Sequence, residues 1–115
     1  MNKIELMGRL TKDVEKRQTK NKTEVGAFTI AVPRKMNKEE TDFIDCVVFG
    51  KLVDIMTKYT TKGDRIIVCG ELNINTYQDK DGNNKKSVVV VVNDFYFTEN
   101  KKVEEKVPEE LPFLK

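Results

Sequence analysis

Apolar and polar residues alternate along most of the first 98 positions, and a period of two is typical of half-buried β-strands. Five segments show this pattern, at residues 2–10, 25–33, 41–49, 65–77 and the valine run 88–92. In the third segment Ile44, Cys46 and Val48 share one face, while two phenylalanines share the other face with Asp45. The fourth segment is predicted to turn an apolar face that includes Ile74 toward the core.

A segment with helical spacing lies between the third and fourth predicted strands. Leu52, Ile55, Met56 and Tyr59 recur at intervals of three and four, and Gly63 stands where a helix terminator belongs. We therefore predict a mainly β protein, a five-stranded Greek-key barrel with one α-helix between strands 3 and 4.

The strand pattern ends near Thr98 and divides the chain into a body and a tail. Within the body, Asp81-Gly82 predicts the tip of a hairpin over residues 79–84. The valine run that follows is either buried on both faces or half covered by another chain, and the second option predicts an oligomer. We predict one folded domain at residues 1–98 and a flexible tail at 99–115 that lacks hydrophobic periodicity.

The overall charge says little about partners. The formal net charge is +2, although 35% of the residues are charged. Four lysines and five glutamates give the tail −1, which leaves +3 for residues 1–98. A basic surface must therefore come from where the charges lie and not from their total.

Residue types that most enzymes and metal sites need are scarce in this chain. It has no histidine and no Cys-x-x-Cys spacing, and Ser87 is its only serine. We predict that Cys46 and Cys69 are reduced core thiols of a cytoplasmic protein, without a signal peptide or membrane span. Asp45 and Glu71 keep a metal-dependent nuclease as an alternative, although isolated acids are more often surface charges. We expect no catalysis, no metal and no cofactor.

Three aromatic residues lie on strand faces opposite the most apolar ones: Phe43, Phe49 and Tyr77. The cations that flank them are Arg9, Arg34, Lys35, Lys51, Lys62, Lys80, Lys85 and Lys86. Rings that stack on bases and cations that neutralise phosphates are what binding of an unpaired nucleic-acid strand requires. The alternative is that the rings are ordinary core aromatics and the lysines a solvated surface. Phe28, Phe95 and Phe97 are assigned to the core or to an interface.

Several segments, in order and spacing, resemble the bacterial and phage single-stranded DNA-binding protein family over residues 1–98: MNKIELMGRLTKDVEKRQT, GAFTIAVPR, ETDFIDCVVFGK, YTTKGDRIIVCGEL and NTYQDKDGN. The resemblance implies an oligonucleotide-binding (OB) fold, usually a homotetramer, that coats unpaired DNA in replication, recombination and repair. It places Phe43, Phe49 and Tyr77 at base-stacking positions, and Lys51 and Lys62 at positions lining the phosphate path.

The chain departs from the family pattern in two places. The loop at residues 34–40 is short and lacks the extra aromatic residue often found there, Met36 being the nearest candidate. Near the end of the chain, the family's signal for docking replication and repair proteins is reproduced by Glu109, Glu110, Leu111, Pro112 and Phe113. Leu114 and Lys115 follow that signal and should weaken docking if the partner's pocket expects a chain end. The alternative is a tail that packs on its own body.

Two further interpretations stay open. One makes the barrel mainly a protein adaptor with weak nucleic-acid binding, like the primosomal replication proteins, which resemble the same family but work within protein assemblies. RNA is a second possible target, because stacking and phosphate contacts do not exclude a 2′-hydroxyl.

Overall fold

A computed structural model describes residues 1–98. Its elements are β1 (Ile4–Leu10), β2 (Glu15–Gln18), β3 (Glu24–Pro33), β4 (Thr41–Phe49), α1 (Lys51–Tyr59), β5 (Arg65–Gln78) and β6 (Asn84–Phe97). The strands form one sheet in the order β1-β5-β6-β4-β3-β2, and β1 also pairs with β3, which closes the sheet into a barrel. The predicted mainly β OB fold is confirmed, with the helix between predicted strands 3 and 4, here β4 and β5. The predicted tail lies outside the described residues.

The core is built from alternate positions of the strands, as a period of two requires. Its fully buried members include Leu10, Phe28, Ile30, Cys46, Val48, Ile66, Val68 and Val90. Phe28 and Phe95 are buried as predicted, whereas Phe97 is 42% exposed and contacts Phe95 edge to face at 5.3 Å between ring centroids. This packing leaves the outward positions of the same strands available for a surface function.

The helix buries only half of the predicted stripe, namely Met56, which is fully buried, and Leu52, which packs partly buried against the core. Val53 and Met56 are fully buried, while Ile55 and Tyr59 are exposed, so the prediction was wrong for the latter two. Gly63 does not end the helix either. The helix ends at Tyr59, where the Thr60 N–H donates to the Met56 carbonyl. A helix of nine residues makes only two and a half turns, so a small rotation about its axis decides which side chains face the barrel.

The short strand β2 was not predicted. All four of its residues are exposed and polar, so the sequence shows no alternation there. It pairs along one edge with β3, and Lys16 bonds both Glu24 and Asp54, at 2.7 and 2.9 Å. These ion pairs tie β2 to the beginning of β3 and to the helix.

The outer half of the β5–β6 hairpin extends beyond the barrel. Ile74 and Val88 lie opposite each other in the ladder, on the face that is buried further down, yet they are 55% and 48% exposed. We call residues 73–88 the hairpin arm. Ile74 was predicted to face the core, and that prediction was wrong because the arm has no barrel beneath it. Val90 and Val92 are buried on one face, whereas Val89 and Val91 on the other face are only partly buried, so the valine run is not buried on both faces.

The two cysteines differ in environment. Cys46 is a core thiol as predicted, and burial raises its pKa to about 12. Cys69 lies half-buried on the outer face beside Glu5, so the prediction of a second core thiol was wrong. Within residues 1–98 no helix is both long and apolar enough to cross a membrane. The same residues hold no cluster of three potential metal ligands.

Candidate nucleic-acid interface

Phe43 and Phe49 point outward from β4 because their alternating neighbours Ile44, Cys46 and Val48 face the core. They are 68% and 46% exposed. They are six positions apart on one strand, a separation of about 20 Å. Neither ring is part of the core.

Small side chains flank the two rings. The outward positions of β3 opposite this part of β4 hold Ala31, Thr29, Ala27 and Val25, and Ala31 and Val25 stand directly opposite the phenylalanines. Side chains of this size cannot cover an aromatic ring in the next strand. These four residues were not predicted to flank the rings, although their alternation along residues 25–31 is visible in the sequence.

Tyr77 lies on the hairpin arm, opposite Lys85, and is 53% exposed. The pairing register shows which face it shares. Asp45 of β4 is level with Val89 of β6, and Val89 is level with Asn73 of β5, four positions before Tyr77. An even number of positions returns a strand to the same face, so Tyr77 shares its face with Phe43 and Phe49.

The eight predicted cations differ in what they contact. Arg34 forms ion pairs with Glu40 at 2.9 Å and with Asp42 at 3.1 Å, so its charge is already neutralised. Lys85 is 4.0 Å from Asp79, and the Arg9 guanidinium donates to the Gly63 carbonyl at 2.9 Å. Among the described residues, no ion pair is formed by the other five, which are Lys35, Lys51, Lys62, Lys80 and Lys86.

Some of these cations lie beside the rings and others do not. Lys51 begins the helix two residues after Phe49. Arg9 pairs with Ala31, which pairs on its other side with Phe43, so the three residues form a row across β1, β3 and β4. Lys62 and Lys86 do not lie beside a ring in this way.

Lys85 stands directly across from Tyr77, but Lys86 pairs with Thr76 and therefore lies on the opposite face of the arm. Lys62 lies in the turn after the helix, where its backbone N–H donates to Asp13. The structure thus brings Lys51, Lys85 and Arg9 to the rings more clearly than Lys62 or Lys86.

The loop between β3 and β4 is closed by its own contacts. The Arg34 N–H donates to the Glu40 carbonyl, and the Glu40 N–H donates to that of Asn37. Met36, the nearest candidate for the missing aromatic residue, is exposed in this loop. Arg34 thus contributes to this loop through its backbone N–H and through its ion pairs with Glu40 and Asp42, and its predicted phosphate contact stays a prediction.

Comparisons with known proteins agree with this geometry. The model of the single-strand binding protein family matches residues 1–98. The chain is 42% identical over 101 residues to the single-stranded DNA-binding protein of Clostridium perfringens (strain 13 / Type A), covering 87% of this chain and 67% of that protein. It is 40% identical over 105 residues to single-stranded DNA-binding protein 2 of Staphylococcus aureus (strain Mu50), covering 88% and 74%. The corresponding protein of Thermotoga maritima is 38% identical over 109 residues, covering 90% and 77%. The resemblance seen in the sequence is confirmed, and the chain belongs to the single-strand binding protein family.

Proposed function

We propose that this chain binds single-stranded DNA without reading a base sequence and without catalysing a reaction. The observation that supports the proposal most directly is that Phe43, Phe49 and Tyr77 are exposed on one face of the sheet. Every base has a face to stack on, so rings of this kind accept any sequence. The relatives described above are all named for single-stranded DNA binding.

The expected energetics fit binding to an unpaired strand. Stacking is worth about 1–3 kcal/mol per base, so three rings can supply several kcal/mol. Lys51 and Lys85 lie close to two of the rings and would neutralise phosphates, a contribution that falls as salt rises. A duplex hides the faces of its bases, so the rings would have nothing to stack on.

A titration at several salt concentrations tests this proposal. Oligo-dT, duplex DNA and RNA of matched length are added to the protein while tyrosine emission is recorded, since the chain has no tryptophan. We expect oligo-dT to bind tightly with quenching from Tyr77, above a background from Tyr59 and Tyr96, and duplex DNA to bind weakly. Equal affinity for duplex DNA and oligo-dT would contradict the proposal. If RNA binds more tightly than oligo-dT, the target is RNA and not DNA.

The wider role is part of the same proposal. A protein of this kind would coat and protect DNA in the cytoplasm during replication, recombination and repair. Glu109, Glu110, Leu111, Pro112 and Phe113 would recruit proteins of those processes, with Leu111 and Phe113 entering an apolar pocket and the glutamates facing a basic rim. These five residues lie outside the described part of the chain.

We also propose a homotetramer. Its support in the described residues is a row of apolar side chains on the outward face of three adjacent strands, where Met7 pairs with Ile67 and Ile67 pairs with Tyr96. Met7 and Tyr96 are exposed. An exposed apolar row of this kind is typical of a contact surface between subunits.

The adaptor alternative is favoured by one observation. Arg34, one of the predicted phosphate contacts, is neutralised by Glu40 and Asp42, which lowers the positive charge near Phe43. If oligo-dT binds only weakly in the same titration, the adaptor is favoured.

A further inference from the structure

The outward face of β1, β5 and β6 carries its charged and apolar side chains in separate rows across the strands. Residues two apart on a strand share a face, so the rows follow one another at intervals of about 6.6 Å. In order along the strands, they are an acidic row (Glu5, Cys69 and Asp94), the apolar row (Met7, Ile67 and Tyr96) and a basic row (Arg9 and Arg65). The apolar row thus separates two ends of opposite charge.

The acidic row presents two carboxylates that are not neutralised. Glu5 and Asp94 are exposed, and neither forms an ion pair within residues 1–98. The Tyr96 hydroxyl donates to Asp94 at 2.8 Å, which orients that carboxylate without changing its charge. The next charged side chains along β1 and β5, Lys3 and Glu71, have opposite signs and cancel. This end of the face therefore attracts cations.

The basic row holds two guanidinium groups side by side. Arg9 and Arg65 are directly opposite each other in the β1–β5 ladder. The Arg9 guanidinium donates to the Gly63 carbonyl at 2.9 Å, and Arg65 Nε donates to the Thr98 hydroxyl at 3.1 Å. Each guanidinium has five N–H donors, so it can bond more than one group at once. This end of the face therefore attracts carboxylates, and the acidic row of another copy supplies two of them.

The order of the rows is self-complementary in one orientation. In a two-fold contact both copies use the same patch. If the axis runs along the apolar row, the strands of the two copies are antiparallel and the acidic row of each copy faces the basic row of the other. If the axis runs along the strands, rows of like charge face each other and repel. A nucleic-acid strand would be repelled by the acidic row, so the charges favour a second copy in the first orientation.

We propose that two copies of this chain pack through this face with antiparallel strands, so that Arg65 of each copy lies between Glu5 and Asp94 of the other. Glu5 then also faces Arg9 of the other copy. Packed sheets lie about 10 Å apart, a gap that arginine and glutamate side chains bridge. The inference rests on the self-association included in the proposed function and adds its orientation and its dependence on salt. The contact joins two copies, and a tetramer needs a second contact elsewhere.

The salt dependence of self-association separates the charged rows from the apolar row. Sodium chloride screens ion pairs at the edge of an interface, whereas it does not weaken the burial of apolar side chains. Light scattering over a dilution series should give a dissociation constant that rises about tenfold between about 0.1 and 1 M NaCl. A constant that stays the same or falls would mean that the acidic and basic rows do not face each other.

A charge exchange tests the orientation. Self-association of the full chain is measured for Arg65→Glu, for Asp94→Lys and for the double variant. Each single change brings like charges together across the contact, and we expect each to raise the dissociation constant about tenfold or more. The double variant exchanges the two charges, so its constant should return to within about threefold of the wild type. Arg9 is left unchanged, because it also lies in the row with Phe43.

A matched control separates pairing from net charge. Glu39 is exposed in the loop between β3 and β4 and forms no ion pair within residues 1–98. Glu39→Lys changes the net charge as Asp94→Lys does and should leave association unchanged. Arg65→Glu combined with Glu39→Lys should remain as weak as Arg65→Glu alone, and recovery in that combination would overturn the inference. Within one chain Arg65 and Asp94 are four strand positions apart, about 13 Å, so they do not pair with each other.

Oligo-dT binding by the same variants checks that each is folded. Unaltered association in both single variants would overturn the inference, and tighter association of Asp94→Lys would mean that the acidic rows face each other. Should Arg65→Glu fail to fold, Asp94→Lys and the salt series decide in its place. If the wild type stays monomeric at low salt, the inference fails together with the homotetramer, while oligo-dT binding still decides whether the chain binds single-stranded DNA.

Discussion

The three exposed rings are held in different ways by the residues around them. Phe43 and Phe49 lie on the barrel wall, where β4 pairs with β3 along its full length. Tyr77 lies on the hairpin arm, where β5 pairs with β6 and both faces are exposed. A base stacked on Tyr77 would therefore contact a ring that the core does not support from behind.

Replacing Tyr77 tests whether this ring contributes to binding. We expect Tyr77→Ala to weaken oligo-dT binding about tenfold at fixed salt, since one lost stacking contact of about 1.4 kcal/mol is one decade. Tyr77→Phe is the matched control, because it keeps the ring and removes only the hydroxyl. If the dissociation constant of Tyr77→Ala equals that of the wild type, the ring is not part of the site.

The salt dependence of binding separates cations at the site from cations elsewhere. Lys51 starts the helix beside Phe49, whereas Lys58 lies in its last turn over the ring of Tyr59. We expect Lys51→Ala to lower the slope of log affinity against log salt by about one, because one phosphate contact is lost. Lys58→Ala should leave that slope unchanged. If Lys58→Ala lowers the slope and Lys51→Ala leaves it unchanged, the phosphates pass the other end of the helix.

At the scale of elements, alternation along the sequence predicted the strands that have one buried face. It could not predict β2, because a strand exposed on both faces has no alternation to detect. It predicted the wrong environment for Ile74, since the pattern continues along β5 after the strand has left the barrel. The outward rings of the candidate site could be predicted because they share strands with the core. The ion pairs of Arg34 could not, since they depend on how a loop closes.

A bulge interrupts the β5–β6 ladder at Gly70. The pairing register shifts between Cys69 and Gly70, and a Cβ on Gly70 would collide with the backbone carbonyl of Val91. We expect Gly70→Ala to lower the free energy of unfolding by about 2 kcal/mol in urea denaturation, because the backbone would have to move. Asn73→Ala, at an exposed position of the same strand, is the control and should change it little. Equal stability of the two variants would mean that the bulge accommodates a side chain.

At the scale of the whole molecule, the barrel has two separate outward surfaces. One contains the rings of β4 and the arm, and the other contains the row of Met7, Ile67 and Tyr96 across β1, β5 and β6. The three rings lie on β4 and the hairpin arm, away from the row, whereas β1 contributes to both surfaces, with Met7 in the row and Arg9 in line with Phe43. Self-association through the row would thus leave the three rings open to DNA, with Arg9 at the boundary between the two surfaces.

The proposed homotetramer makes this separation testable. Light scattering of the wild type should give four times the chain mass of 13.3 kDa. Met7→Glu should shift the population toward smaller species, because it buries a carboxylate at the contact without a partner. Ile55→Glu, at an exposed apolar position of the helix, is the matched control and should leave the mass unchanged. If Met7→Glu keeps the full mass while Ile55→Glu loses it, the subunits meet through the helix. Retained oligo-dT binding by a smaller Met7→Glu species would establish that the rings function within one subunit.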